Sequence, residues 1–304
     1  MINKYINAVS KGKKNIRFFS HNGTVNTYMP FWTAYSNSGL PDGVYDKKEA
    51  LAAIITNVAT NPLTADDMPI APAQLVNPVV IPAQPLYDLL PWACKNDIRY
   101  YLNSVLLDRG CIVATNGHVL KKVDTDIFLD SPIIIPRDFL EFAKSMGATE
   151  LQVAVDYPTS IEDIKRSIMY GPGKVSFSIG NLYAQCNVVD GRFPDYSRVI
   201  PDIADLPQQI TLPSKKDGAE YLKKAKVLCK YHVIALKNNH ININSDGGLV
   251  PVSNGIADGI EWTCNAEYFA LACADGGILR LSNSTSSGAI FNKNSVSVIM
   301  PTRI

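Results

Sequence analysis

Four histidines, six cysteines and one glycine-flanked lysine are the residues best placed for chemistry in this sequence, and their spacing argues against catalysis. His21, His118, His232 and His240 have no Cys, Asp or Glu at metal-ligand distance in sequence, so no metal site is expected. His118 closes the run Thr115-Asn116-Gly117-His118, but no nucleophile and carboxylate are set beside it. Lys174 follows Gly171-Pro172-Gly173, yet the upstream glycine spacing and following Ser or Thr of a phosphate loop are missing. Strands rather than a helix flank that run, and a hairpin turn is the expectation. Cys94, Cys111, Cys186, Cys229, Cys264 and Cys273 form no CxxC pair, which points to free, mostly buried thiols in a reducing compartment. No enzyme activity and no cofactor are expected.

Positive charge is the better lead. Ser214, after Pro213, suits an N-cap, and the spacing predicts a helix from Ser214 to Lys230. At ~100° per residue, Lys216, Lys223, Lys226 and Lys230 fall within about 80° of one another. Tyr221, Leu222, Ala225, Leu228 and Cys229 fall on the opposite side, an apolar face for a sheet. A stripe of ammonium groups can hold a phosphate backbone without reading bases, and it can equally be a solvated face. Arg137 and Lys144 on a second predicted helix, and Lys95 with Arg99 after a third, repeat the same sign of charge.

The elements that carry these residues recur. A short helical segment ending at Cys94-Lys95 leads into IRYYLNSVLLDRGCIVATNGH, two strands about a turn at Asp108-Arg109-Gly110. A helix ending at Cys229-Lys230, offset by 135 residues, leads into YHVIALKNNHININSDGG, two strands about Asn238-Asn239. SPIIIPRDFLEFAKSMGATELQVAV and IEWTCNAEYFALACADGGILRLSNS then each give strand, helix, strand. Each copy closes on a strand, NLYAQCNVVDGR or SVSVIMPTRI. A period this long excludes a solenoid and implies two homologous α+β domains.

Between the copies lies VVDGRFPDYSRVIP at 188–201, where Pro194 and Pro201 brace a connector bearing Arg192, Asp195, Tyr196 and Arg198. Upstream, residues 1 to about 78 hold a basic start, an aromatic stretch from Tyr28 to Tyr35 and a predicted helix from Lys47 to about Val58. A linker rich in Pro and small polar residues follows at 60–78. Lys plus Arg number 29 against 28 Asp plus Glu, so a uniformly basic coat is excluded but a basic face balanced by an acidic one is not. No apolar run approaches ~18 residues and no signal segment stands at the start, so a cytoplasmic location is expected.

Four stretches resemble the sliding-clamp family, the beta subunit of bacterial replicative DNA polymerase III. IRYYLN at 98–103 is similar to the family's VRYYLN, and TNGHVL at 115–120 to its TDGHRL. VDGRFPDYSRVIP is almost the family's own string, and the terminal VIMPTRI matches VVMPMRL. The resemblance covers roughly residues 79–304 and fails before them, as a phage or mobile-element variant with a shortened start would. It implies an α+β DNA-clamp fold in three parts: a divergent or reduced region at 1–78, a clamp domain at 79–203 and another at 204–304.

The function implied is a processivity factor that encircles duplex DNA of any sequence. It would tether the replicative polymerase and clamp loader through Leu/Phe linear motifs. Carried over by motif, Leu102, Thr115, Gly117, His118, Val119 and Leu120 would form one wall of the peptide pocket. Pro194, Arg198 and Val199 would form its floor, with Tyr268 and Ser287 nearby. Val298, Met300, Pro301, Thr302 and Arg303 would complete it. Arg99, Tyr100 and Tyr101 would sit beside DNA, together with Lys95, Arg137, Lys144, Lys216, Lys223, Lys226 and Lys230.

Three positions depart from the family strings: Asn116 replaces Asp, Val119 replaces Arg and Thr302 replaces Met. Loss of a guanidinium at the rim removes a donor for a guest's carboxylate or backbone, so partner preference is expected to differ. If the first 78 residues act as a clamp domain, a head-to-tail homodimer closes the ring. If they do not, the alternative is a clamp-like adaptor that binds linear motifs without encircling DNA.

Overall fold

The computed structural model describes residues 6–11, 15–20, 33–36, 43–46, 78–129, 131–155, 173–179, 182–189, 191–254 and 259–302. The helix expected at Lys47–Val58, most of the linker at 60–78 and the turn before Gly173 lie outside these residues, as does Arg303. In chain order the strands begin with β1 (Ile6–Lys11), β2 (Asn15–Ser20), β3 (Thr33–Ser36), β4 (Gly43–Asp46) and β5 (Val79–Pro82). Helix α1 (Gln84–Leu89) precedes β6 (Ser104–Asp108), β7 (Cys111–Thr115), β8 (Val119–Asp124) and β9 (Ile133–Pro136). Helix α2 (Arg137–Met146) leads to β10 (Glu150–Val155), β11 (Gly173–Ile179), β12 (Leu182–Asn187) and β13 (Gln208–Thr211). Helix α3 (Lys215–Leu228) is followed by β14 (Val233–Lys237), β15 (His240–Ser245), β16 (Gly248–Asn254) and β17 (Trp262–Asn265). Helix α4 (Ala266–Asp275) precedes β18 (Ile278–Leu281), β19 (Gly288–Asn292) and β20 (Ser295–Ile299).

The chain divides into two compact units. The first comprises Met1–Leu90, Lys95–Arg109 and Ile127–Phe193. Its eight-stranded antiparallel sheet runs β4-β2-β1-β3-β12-β11-β10-β5, and β6 pairs with β9. Alternation along β10 and β11 turns Leu151, Val153, Val175 and Phe177 inward. Helix α2 meets them with Phe139 and Phe142, whose rings each lie 5.6 Å from that of Phe177. Gly147, at φ 80°, ends α2 in the left-handed conformation that a residue with a side chain avoids. Tyr87 of α1 donates its hydroxyl to the Ala148 carbonyl at 3.0 Å, and burial pushes that phenol up to about 12.

The second unit comprises Pro91–Cys94, Gly110–Asp126 and Pro194–Ile304. Its sheets run β13-β18-β19-β20-β8-β7 and β16-β15-β14-β17. The hairpin β7–β8 belongs here because β8 pairs with β20 from Val119↔Ile299 to Val123↔Ser295. Ser214 caps α3 as its sequence predicts, accepting from the Asp217 amide at 3.2 Å while its hydroxyl donates to the Asp217 carboxylate at 2.6 Å. Helices α3 and α4 cross closely at Gly218, where an added Cβ would stand 2.5 Å from the Cys273 Cβ. The β14–β15 turn falls at Asn238-Asn239 with φ of 54° and 62°, the doubly left-handed turn that Asn tolerates best after Gly. No helix among the described residues is long and apolar enough to cross a membrane.

Three sequence expectations need correction. Tyr100 and Tyr101 do not open a strand; Tyr100–Leu102 is a 3-10 turn, with the Leu102 amide on Arg99 O and the Asn103 amide on Tyr100 O. Asn103 holds that turn by donating its side-chain amide to Asp97 O. Leu228 does not join the buried face of α3, because Cys229 leaves the helix in an extended conformation and the last turn opens to solvent. Arg137 does not project outward. It is 6% exposed, its guanidinium donating to the Leu90 carbonyl and, at 2.8 Å, to Glu141.

Candidate functional site

The second unit gathers the TNGH turn, the first turn of α4 and the end of β20. Thr115 is buried, and its hydroxyl donates to Val119 O at 2.6 Å and accepts from the Gly117 amide at 3.1 Å. Asn116 folds its side chain back over the turn, where its carbonyl oxygen accepts from the His118 and Val119 amides at 2.8 and 2.9 Å. Gly117 takes φ 88°, which this turn requires. The result is a rigid tip that holds the exposed His118 ring out of the sheet.

Tyr268, one turn into α4, stacks on that ring with centroids 6.0 Å apart and planes 18° from parallel. Burial pushes the Tyr268 phenol above its ordinary range, opposed by a hydrogen bond to the Asn116 side chain. The same Asn116 accepts the Cys94 thiol on its backbone oxygen at 3.5 Å. Cys94 is half-buried, whereas the five other cysteines are buried.

The chain end completes the cluster. The Met300 amide donates to His118 O at 2.8 Å, and the Thr302 amide to Thr263 O at 2.9 Å. Thr263 returns its hydroxyl to Thr302 O at 2.6 Å, so Met300, Pro301 and Thr302 run half-exposed along the site. Val119, Leu120 and Val298 are buried beneath them. Val119 stands where the family string has Arg, and its side chain is buried.

The connector lies in the same unit. Tyr196–Val199 forms a 3-10 turn in which Arg198 pairs with Asp195 at 2.9 Å. The Ser197 hydroxyl, 2.6 Å away, and then Arg198 hold the Asp195 carboxyl below its usual range. The Tyr196 hydroxyl meets the Cys111 thiol at 3.3 Å. Pro194 and Arg198 are exposed, while Val199 and Ser287 are half-buried. Leu102 lies in the first unit, fully buried below its 3-10 turn.

The basic residues fall in both units. In the second, Lys216, Lys223, Lys226 and Lys230 are all exposed. Lys226 pairs with Glu267 at 3.0 Å, and Lys230, just past the end of α3, lies 5.5 Å from the centre of the Tyr231 ring. In the first unit Lys95 is exposed, Arg99 forms a bidentate pair with Asp97 and Lys144 lies 5.9 Å from the Tyr87 ring centre.

Together these features define an α+β architecture of helices on antiparallel sheets, with the His118–Tyr268 stack at a hairpin tip. No family model matches the chain. Over 139 residues, 43% of the chain, it is 31% identical to the beta sliding clamp of Vibrio cholerae. Over 116 residues it is 32% identical to that of Escherichia coli strain K12. The matched segments span about a third of those relatives, 32% and 28% of their lengths. Whole-fold similarity is wider. Aligned over 99% of this chain and 93% of its own, the DNA polymerase III subunit beta of Pseudomonas aeruginosa gives a TM-score of 0.60 at 20% identity. The Helicobacter pylori beta clamp bound to a DNA ligase peptide gives 0.62 at 16% identity, over 100% of this chain and 92% of that one. The fold is that of the beta sliding clamp.

Proposed function

We propose that this chain is a sliding clamp, a processivity factor that encircles duplex DNA of any sequence and tethers replication proteins by short peptide motifs. One observation carries the proposal. On a clamp fold, the rings of His118 and Tyr268 stack and the Met300 amide donates to His118 O, although the three residues are distant in sequence. Such a site suits a guest that inserts Leu and Phe side chains and hydrogen-bonds through its backbone. The DNA ligase peptide held by the Helicobacter pylori clamp supports a peptide guest of this kind. For this chain the guests are the replicative polymerase and clamp loader. Pro194, Arg198, Val199, Ser287 and Arg303 belong to the proposed pocket with the residues above.

Lys216, Lys223, Lys226 and Lys230, with Lys95, Arg99, Tyr100, Tyr101 and Lys144, are the proposed phosphate contacts, which predicts affinity that falls with salt. Residues 79–203 and 204–304 act as two clamp domains, and 1–78 as a reduced third, in the cytoplasm of the cell that replicates the DNA. The role is tethering, without catalysis. Ring closure needs a second copy. Val227, Leu228 and Tyr231, 80%, 42% and 70% exposed at the end of α3, are apolar groups that a head-to-tail partner would cover.

The test is a fluorescence-anisotropy titration with a labelled ten-residue peptide ending in Leu-Phe. Saturable binding that Tyr268→Ala weakens about tenfold or more is expected. Absence of binding to the intact chain contradicts the peptide site.

A further inference from the structure

Beneath the site lies an ion pair that no sequence motif marks. Lys121, on β8, and Ser297, its cross-strand partner on β20, point to the same face of the sheet. Both reach Asp275, the last residue of α4: the Lys121 ammonium to one carboxylate oxygen and the Ser297 hydroxyl to the other. The Lys121 and Asp275 side chains are only 14% and 9% exposed, and Ser297 is fully buried. The same ammonium lies 5.6 Å from the centre of the Trp92 ring.

These contacts join four segments of the second unit that carry parts of the TNGH cluster. Trp92 precedes Cys94 by two residues, and β8 leaves His118 directly. Helix α4 bears Tyr268, and β20 leads from Ser297 to Met300. An Asp at a helix C-terminus is disfavoured by the helix dipole, and a buried charge persists only when paired, so Asp275 has a strong requirement for Lys121. Directional pairing of this kind fixes where α4 sits along β8, which apolar packing alone fixes less sharply.

We infer that Lys121 and Asp275, with Ser297, are positioning residues: they set the His118–Tyr268 spacing and thereby the affinity of the peptide site. The inference rests on the peptide-binding reading above for its consequence, though not for its geometry.

The experiment compares the intact chain with K121M, D275N and the apolar triple variant K121M/D275L/S297A. Three readouts are taken: thermal stability, anisotropy with the Leu-Phe peptide, and the His118 ring-proton chemical shift in the free protein. An apolar replacement of a buried ion pair often keeps stability, so the triple variant is expected to melt near the intact chain while the single variants melt lower. Peptide affinity is expected to fall roughly three- to thirty-fold in all three variants, the triple included. The His118 shift is expected to move with it as Tyr268 changes its place over the ring. Recovery of both affinity and His118 shift in the triple variant would overturn the inference, since bulk packing would then suffice. An unmoved His118 shift in K121M and D275N would overturn it as well. If the intact chain binds no peptide, the peptide-binding reading fails, and the chemical shift still decides whether the pair positions the ring.

Discussion

Replacing Asn116 by Ala removes the side chain that organises the whole TNGH turn. Its carbonyl oxygen accepts from two backbone amides, at 2.8 Å from His118 and 2.9 Å from Val119. The His118 amide is near solvent and can turn to water, so its loss costs about 0.5 kcal/mol. The Val119 residue is buried, and an amide left unpaired there costs about 1–3 kcal/mol. The sum is about 2 kcal/mol, held down because the Thr115 hydroxyl still bridges Gly117 and Val119. With a urea slope of about 2 kcal/mol per molar, the unfolding midpoint of the second unit moves down by about 1 M. The assay is fluorescence of Trp92 and Trp262, both in that unit. Asn116→Asp keeps the acceptor and is expected to restore most of the midpoint. It also exchanges a hydrogen-bond donor beside Tyr268 for a carboxylate, which raises that phenol's pKa further. A midpoint shift below about 0.2 M for N116A, or an equal loss in N116D, would refute the account of the turn.

Alkylation of the native protein by a thiol reagent is expected to modify Cys94 first, because the other five thiols are buried. Saturating Leu-Phe peptide is expected to slow it, which peptide mapping by mass spectrometry would read; unchanged labelling would place the guest elsewhere. Tyr87→Phe loses one buried hydrogen bond, about 1 kcal/mol, measured by urea unfolding of the first unit. The Tyr87 phenol is raised from 10.0 to about 12, so folding holds its proton more tightly than the unfolded chain does. Its contribution is complete below pH 10 and is lost as the pH rises toward 12. The intact chain is therefore expected to lose stability more steeply than Y87F across that interval, and parallel curves would contradict the assignment.

Much of the local structure was legible because single residues determine it. Ser214 announces the start of α3, Asn238-Asn239 the β14–β15 turn, and Asp108-Arg109-Gly110 the β6–β7 turn. What escaped depends on partners far along the chain. The alternation in IRYYLN fits a strand, yet Asp97 and Asn103 tie the backbone into a 3-10 turn. Helical spacing puts Arg137 on an outer face, and only the approach of the Leu90 carbonyl draws it in. The helical wheel buries Leu228, but it carries no sign that Cys229 ends the helix in extended backbone. Of the site, the TNGH turn and the terminal strand were visible as motifs. Cys94 and the Lys121–Asp275–Ser297 network were not, because no motif contains them and their meeting depends on the β8–β20 register.

The most direct measurement of the central claim is topological. The protein is loaded with its cognate clamp loader and ATP onto nicked circular duplex DNA, isolated by gel filtration, and the DNA is then cut once. A clamp that encircles the duplex stays with the circle and is released when the DNA becomes linear. Equal loss from both forms, or equal retention on both, would contradict encirclement.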